Sequence, residues 1–420
     1  MKTLSASVLE QTIEACRELM QFRQPADAVL SAFFRARHCG PRERAFIAET
    51  AYTVLRRQRS LAAWVGPGAN VRQLVLAALV RQGGISLRTL EAALPKRDAE
   101  WLAALKARPE PALTLGEETD LPDWLVERLG ALMPQSELVA LARALNQPAP
   151  LDLRVNVLKA RRDDVLARLD QEGIAATACP YAPHGIRLAG KPALAKHPLF
   201  LDGSIEVQDE GSQLLGHLVA PKRGEMAVDF CAGAGGKTLL LGALMRSTGR
   251  LYAFDVSAKR LAKLKPRLAR SGLSNVHPVA IAHENDVHVK RLAGKCDRVL
   301  VDAPCSGLGT LRRNPDLKWR QTPQDIAELS AKQAAILAAA ARLVKPGGRL
   351  VYATCSLLPE ENEAIVDAFL AAQPQFARRF AGEILAAQGI DIDLAGDDLH
   401  LLPHRHGTDG FYAAVLERAK

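Results

Sequence analysis

Apolar positions recur with helical spacing from the start of the chain to about residue 145. Leu9, Ile13, Cys16, Leu19 and Met20 fall on one face of the first segment, and Phe46, Ala51, Val54 and Leu55 do the same in a later one. The pattern predicts an all-α domain over 1–145. Prolines and acidic residues interrupt it in ARPEPALTLGEETDLP, around 107–122, after which Asp123 stands where it would cap a helix running towards Leu145.

From 146 to 207 the texture shortens. LRVNV reads as a strand, about Asp163 to Glu172 as a helix, and the surroundings of Thr177 and Ile186 as short strands, which together predict a small α+β module. Over 208–420 the runs MAVDFCA, RLYAFDV, DRVLVDAP and GRLVYATC alternate with helical or loop segments. That alternation predicts an α/β domain built on a doubly wound, Rossmann-like parallel sheet.

Composition narrows the class. A chain of 420 residues suits two or three domains, and 48% hydrophobic with 24% charged residues argues against global disorder. No apolar run approaches the roughly 18 residues of a membrane span, and acidic residues sit where a signal peptide keeps its apolar stretch, so a cytoplasmic, membrane-free protein is expected. Seven cysteines without CxxC spacing point to reduced thiols, and His404 with His406 lacks a completing ligand cluster, so no metal is expected. A net charge of +9 favours a polyanionic partner, a weak indication by itself.

The chemistry concentrates at strand ends. The first strand of the α/β domain runs into Asp229-Phe-Cys-Ala-Gly-Ala-Gly-Gly-Lys237-Thr238, a glycine-rich turn leading into an apolar helix. A phosphate-binding P-loop needs a glycine where the chain has Cys231, and a dinucleotide fingerprint from Gly233 needs one at Thr238. An S-adenosylmethionine site asks only for the turn and for an acid closing the second strand, a role that suits Asp255 by analogy with ribose-binding acids. A turn that serves packing alone stays open as an alternative.

Two further strands end in Asp302-Ala-Pro-Cys305-Ser and in Thr-Cys355-Ser, so both thiols are expected to face the crevice at the carboxyl edge of the sheet. A single such cysteine is more often inert packing; the pair, beside Asp302, suggests covalent chemistry. Carbon 5 of cytosine is a poor nucleophile. Addition of a thiolate at carbon 6 turns the ring into an enamine whose carbon 5 attacks a methyl donor, after which a base removes the carbon 5 proton and the thiol leaves.

The motifs DFCAGAGGKT, DAPCSGLGT, RRNPDLKW, YATCSLLPEEN and HGTDGFYAAVLE resemble the RNA cytosine-C5 methyltransferases of the Sun/Nop family, and within it the bacterial small-subunit ribosomal RNA branch. The resemblance spans about 208–417; LRVN and EVQDEGSQLL resemble the approach to that family's catalytic domain. It implies Cys355 as the nucleophile and Cys305 as the group assisting release, whereas DNA cytosine methyltransferases attack with the Pro-Cys cysteine. Lys237 and Asp302 would lie beside the base. S-adenosylmethionine would lie against Cys231, Ala232, Gly233, Ala234, Gly235, Gly236 and Lys237, with Asp255 and Asp302, and Asp286 is the candidate for the acid after the third strand.

The resemblance further implies that 1–145 is an antitermination-factor-like RNA-binding domain, that 146–207 binds RNA, and that 208–420 is a class I methyltransferase domain. The expected substrate is 16S ribosomal RNA and the expected state a monomer. A transfer RNA methyltransferase and a non-catalytic ribosome assembly protein are the alternatives. Arg312, Arg313, Lys318 and Arg320, just past Cys305, are expected to follow the RNA backbone, or else to form a solvated basic loop.

Overall fold

The computed structural model describes residues 4–420. The chain forms two compact units, one running up to residue 148 and including 310–323, the other made of 149–309 and 324–420.

Ten helical segments between Ala6 and Leu145 build the first unit. Helix Ala6–Leu19 starts at Ser5, whose Oγ accepts the Val8 N–H, and it buries Leu9, Ile13, Cys16 and Leu19 on one face. Helix Pro41–Arg56 buries Ile47, Ala51, Val54 and Leu55 against the same core, each large apolar side chain contributing about 1.5–3 kcal/mol. The single helix expected from Asp123 to Leu145 is two, Asp123–Gly130 and Gln135–Leu145. Pro134 forces the break, because proline disfavours helix in the residue before it and now occupies the second helix's N-cap. Pro122 is the first helix's N-cap; Asp123 instead accepts a hydrogen bond from Arg59 Nη1 at 2.6 Å.

Segment 310–323 belongs to this unit, and two of the four cations expected on a basic loop facing RNA, Lys318 and Arg312, are buried in it. Lys318 is buried and donates to Arg56 O and Asn146 Oδ1, both at 2.9 Å, while Trp319 Nε1 donates to Leu55 O at 2.9 Å. These donors meet the carbonyls that helix Pro41–Arg56 leaves unpaired at its C-terminus. Arg312 is buried too, Arg320 pairs with Asp316, and Asp316 accepts the Ala26 N–H.

The second unit begins with a small antiparallel sheet of β1 (Leu151–Val155), β2 (Ala176–Ala178), β3 (Gly185–Leu188) and β4 (Ile205–Val207), in the order β2-β3-β1-β4. Helix Arg162–Gln171 covers it, packing Val165 and Leu169 on Leu153, Val155 and Ile186.

The large sheet contains β5 (Met226–Asp229), β6 (Arg250–Asp255), β7 (Val276–Ala280), β8 (Cys296–Asp302), β9 (Val344–Thr354), β10 (Phe376–Arg379), β11 (Leu399–Leu401) and β12 (Phe411–Arg418). Its order is β10-β12-β9-β8-β5-β6-β7, with β11 beside β12. From β9 to β7 all pairings are parallel; β12 is antiparallel to β9. Central strands are covered on both faces, which is why VLV and LVYA read as continuous apolar runs. The chain proceeds from β5 to β6 and β7 on one side and returns to β8 and β9 on the other. The crevice at this reversal, above the carboxyl ends of β5 and β8, is where such sheets bind ligands. Among the described residues no helix is long and apolar enough to cross a membrane.

Candidate active site

Beyond Asp229 the chain turns through two left-handed glycines, Gly233 (φ +58°) and Gly235 (φ +83°), into helix Gly236–Leu244. The two do different things. A Cβ on Gly235 would stand 2.2 Å from Leu264 Cδ1, so this glycine lets the turn pack on the helix behind it. A Cβ on Gly233 would meet nothing within 4 Å, because that side opens on a cavity of about 550 Å³. Beneath the turn, Asp229 accepts from Thr238 Oγ1 at 2.7 Å, and burial pushes its carboxyl up to about 7.

All the expected residues of the turn line this cavity except Gly235, together with Lys237, Asp255, Asp302, Cys305 and Cys355. Asp255, buried at the end of β6, accepts from Gly233 N at 2.8 Å, Ser257 N at 2.7 Å and Arg260 Nη2 at 2.9 Å. Asp286 does not line the cavity. It caps the short helix Val287–Lys290, accepting from Ala282 N at 2.9 Å and from His288 N and Nδ1 at 2.8 Å. Those backbone bonds and then the His288 ring hold its carboxyl well below the usual range. Glu284, two residues earlier, is the acid that reaches the cavity.

Lys237 Nζ lies 2.8 Å from Asp302 Oδ2. Burial opposes the Lys237 charge, but the Asp302 carboxylate outweighs it and holds the ammonium above its ordinary value. The Sγ atoms of Cys305 and Cys355 are 3.3 Å apart, and Cys355 N donates to Cys305 Sγ at 3.3 Å. The hydrogen bond with Cys355 and burial push the Cys305 thiol well above its usual range.

Among the lining residues that the sequence reading left out are the polar pair Gln208 and Ser212. Gln208 Nε2 donates to Ser212 Oγ at 3.2 Å, and its Oε1 accepts from buried Arg154, which also donates to Gly236 O at 2.6 Å. Their signal was the EVQDEGSQ run itself, polar residues standing before an apolar helix. A small-molecule cofactor fits the space: its volume lies within the range of about 300–1,000 Å³ typical of ligand sites, and its floor is a turn left free of side-chain bulk at Gly233.

Residues 216–417 match the family model described as 16S rRNA methyltransferase RsmB/F, and 121–195 match the ferredoxin-like domain of RsmF/B-like methyltransferases. A Synechocystis protein named "Probable ribosomal RNA small subunit methyltransferase B" is 41% identical over 311 residues, covering 73% of this chain and 69% of that one. The ribosomal RNA small subunit methyltransferase B of Sodalis glossinidius is 38% identical over 314 residues, 74% and 69% of the two chains. Among solved structures, PH0851 superimposes with a TM-score of 0.81 at 27% identity over 99% of both chains. A methyltransferase homologue from Pyrococcus horikoshii does so with 0.62 at 30% identity, over 72% of this chain and 97% of that one. Family model, sequence relatives and superimposed folds agree, and the chain belongs to the RsmB/F family of S-adenosylmethionine-dependent 16S ribosomal RNA methyltransferases.

Proposed function

We propose that this chain methylates carbon 5 of a cytosine in 16S ribosomal RNA, with Cys355 as the nucleophile and Cys305 assisting product release. The observation that carries the reading is the pair of thiols 3.3 Å apart, at the ends of neighbouring strands β8 and β9, in one cavity with the glycine turn. When bound, S-adenosylmethionine supplies an electrophilic methyl group.

Cys355 Sγ forms a bond to carbon 6, and the ring's electron pair moves towards carbon 5, which then takes the methyl group. Lys237, beside Asp302, is placed to stabilise negative charge near Cys355. Asp302 accepts a hydrogen bond from the exocyclic amino group of the base. Solvent takes up the carbon 5 proton, which returns the electron pair to the ring and breaks the bond between Sγ and carbon 6. The Cys305 thiol gives its proton to the departing Cys355 sulfur and is reprotonated from solvent.

Cys305→Ala with substrate RNA and cofactor tests the assignment. It retains attack and methyl transfer but releases slowly, so a protein–RNA adduct survives denaturing electrophoresis; Cys355→Ala and the double variant give neither adduct nor methylation. An adduct in Cys355→Ala but not in Cys305→Ala reverses the roles. Activity in both single variants without any adduct rejects the covalent route.

A further inference from the structure

The two thiols sit on irregular segments, Ala303–Gly307 and Cys355–Leu358, and irregular segments are ordinarily the mobile parts of a fold. Chemistry that passes one ring between two sulfurs tolerates little such mobility. Each segment is fastened at the residue that directly follows its cysteine, and both fastenings end on one side chain.

That side chain is Glu361, fully buried in the short 3-10 turn Pro359–Glu361. Its Oε1 accepts from Ser306 N at 2.8 Å and Gln333 Nε2 at 2.9 Å; its Oε2 accepts from Ser306 Oγ at 2.5 Å and from Ser356 Oγ. Gln333, on helix Pro323–Ala341, also donates to Pro304 O at 3.0 Å, the carbonyl just before Cys305. Asn362 Nδ2 donates to Ser356 O at 3.2 Å, and Thr354 Oγ1 to Asn362 Oδ1 at 2.5 Å. A carboxylate withdrawn from water costs several kcal/mol unless its oxygens are satisfied, and four donors satisfy this one. A core glutamate whose carboxylate is bonded to amide and hydroxyl groups of both cysteine segments, and to the Gln333 amide that also holds Pro304, is explained by what it joins.

We infer that Glu361 is a positioning residue that fixes the distance and mutual orientation of Cys305 and Cys355. It touches neither thiol and acts through Ser306 and Ser356. The inference rests on the two-cysteine reading of the site, and its test includes a measurement that does not depend on methylation.

Glu361→Gln keeps volume and shape but turns an amide donor towards hydroxyl and amide donors. Expected is a folded protein that binds S-adenosylmethionine and RNA as the unaltered enzyme does, with kcat lower by roughly 100-fold, the scale of an ångström of misplacement. Diamide-driven closure of the Cys305–Cys355 disulfide, followed by loss of free thiols in a background lacking the other five cysteines, should slow about tenfold for the same reason. Unchanged kcat with unchanged closure, or a loss confined to cofactor affinity, overturns the inference. Should Glu361→Gln fail to fold, Ser356→Ala removes one donor and is read by the same two measurements: both slowed supports the inference, both unchanged overturns it. If the unaltered enzyme makes no 5-methylcytosine, the functional reading falls while the closure rates still decide the part played by Glu361.

Discussion

Lys237 Nζ and Asp302 Oδ2 meet at 2.8 Å across the point where the sheet reverses its winding, tying the first turn of one helix to the end of β8. Asp302 is not needed to close the core, since its side chain keeps 31% of its exposure. Asp302→Asn should therefore leave the melting temperature nearly unchanged while lowering kcat by roughly 10²–10³, the range for losing a positioned acid–base or electrostatic group. Methyl incorporation under saturating RNA and cofactor checks this; wild-type kcat would remove Asp302 from the reacting centre.

The glycine turn predicts two different failures from one kind of substitution. Gly235→Ala drives a methyl into Leu264 at a left-handed φ and should cost about 1–3 kcal/mol of stability, visible as a lower melting temperature. Gly233→Ala pays only the left-handed backbone, about 1–2 kcal/mol, but its methyl enters the cavity. It should lose cofactor affinity out of proportion to stability. The opposite pattern in calorimetry and melting would place the cofactor elsewhere.

Asp255 joins the turn to the end of β6 through its bond from Gly233 N. Removing an acceptor of charge-assisted bonds costs about 1.5–3 kcal/mol, so Asp255→Ala should weaken S-adenosylmethionine binding by roughly 10- to 100-fold in calorimetric titration. Asp255→Asn, which keeps one acceptor oxygen, should fall between. Equal affinity in all three proteins counts against a ribose-binding acid here.

Stability should depend on Lys318. Burial brings its ammonium from 10.5 down to about 7, opposed by Asp120 and reinforced by Arg57 and Arg56. A group whose folded pKa lies below its unfolded one contributes stability that is complete above the unfolded value and is lost as the pH falls through the folded value. Resistance to urea should thus rise between about pH 7 and pH 10, and Lys318→Met should flatten that rise. Parallel pH profiles for the two proteins would show that Lys318 does not titrate there.

Much of this was legible in the chain. The glycine turn, the acid closing RLYAFDV and the cysteines closing two apolar runs are local patterns, and a parallel sheet converts strand ends into one crevice. The rest depends on long-range partners. HENDV offers two acids two residues apart, and nothing local says that Asp286 would cap a helix and leave the cavity to Glu284. Lys318 reads as a solvated cation until helix Pro41–Arg56 ends against it. Glu361 looks like one more acid of PEEN, since Ser306 lies 55 positions away and Gln333 28.

The segment 310–323 gives the helical unit a schedule as well as a shape. Trp319 and Lys318 close the helix end at Leu55 and Arg56, and Asp316 meets Ala26. On a translating ribosome, residues up to 148 are complete long before residue 310 is made, and at about 5–20 residues per second the wait is on the order of ten to thirty seconds. Through that interval the carbonyls of Leu55 and Arg56 and the Ala26 N–H lack the partners that Trp319, Lys318 and Asp316 later bring. The part of the protein that is synthesised first is among the last to be finished.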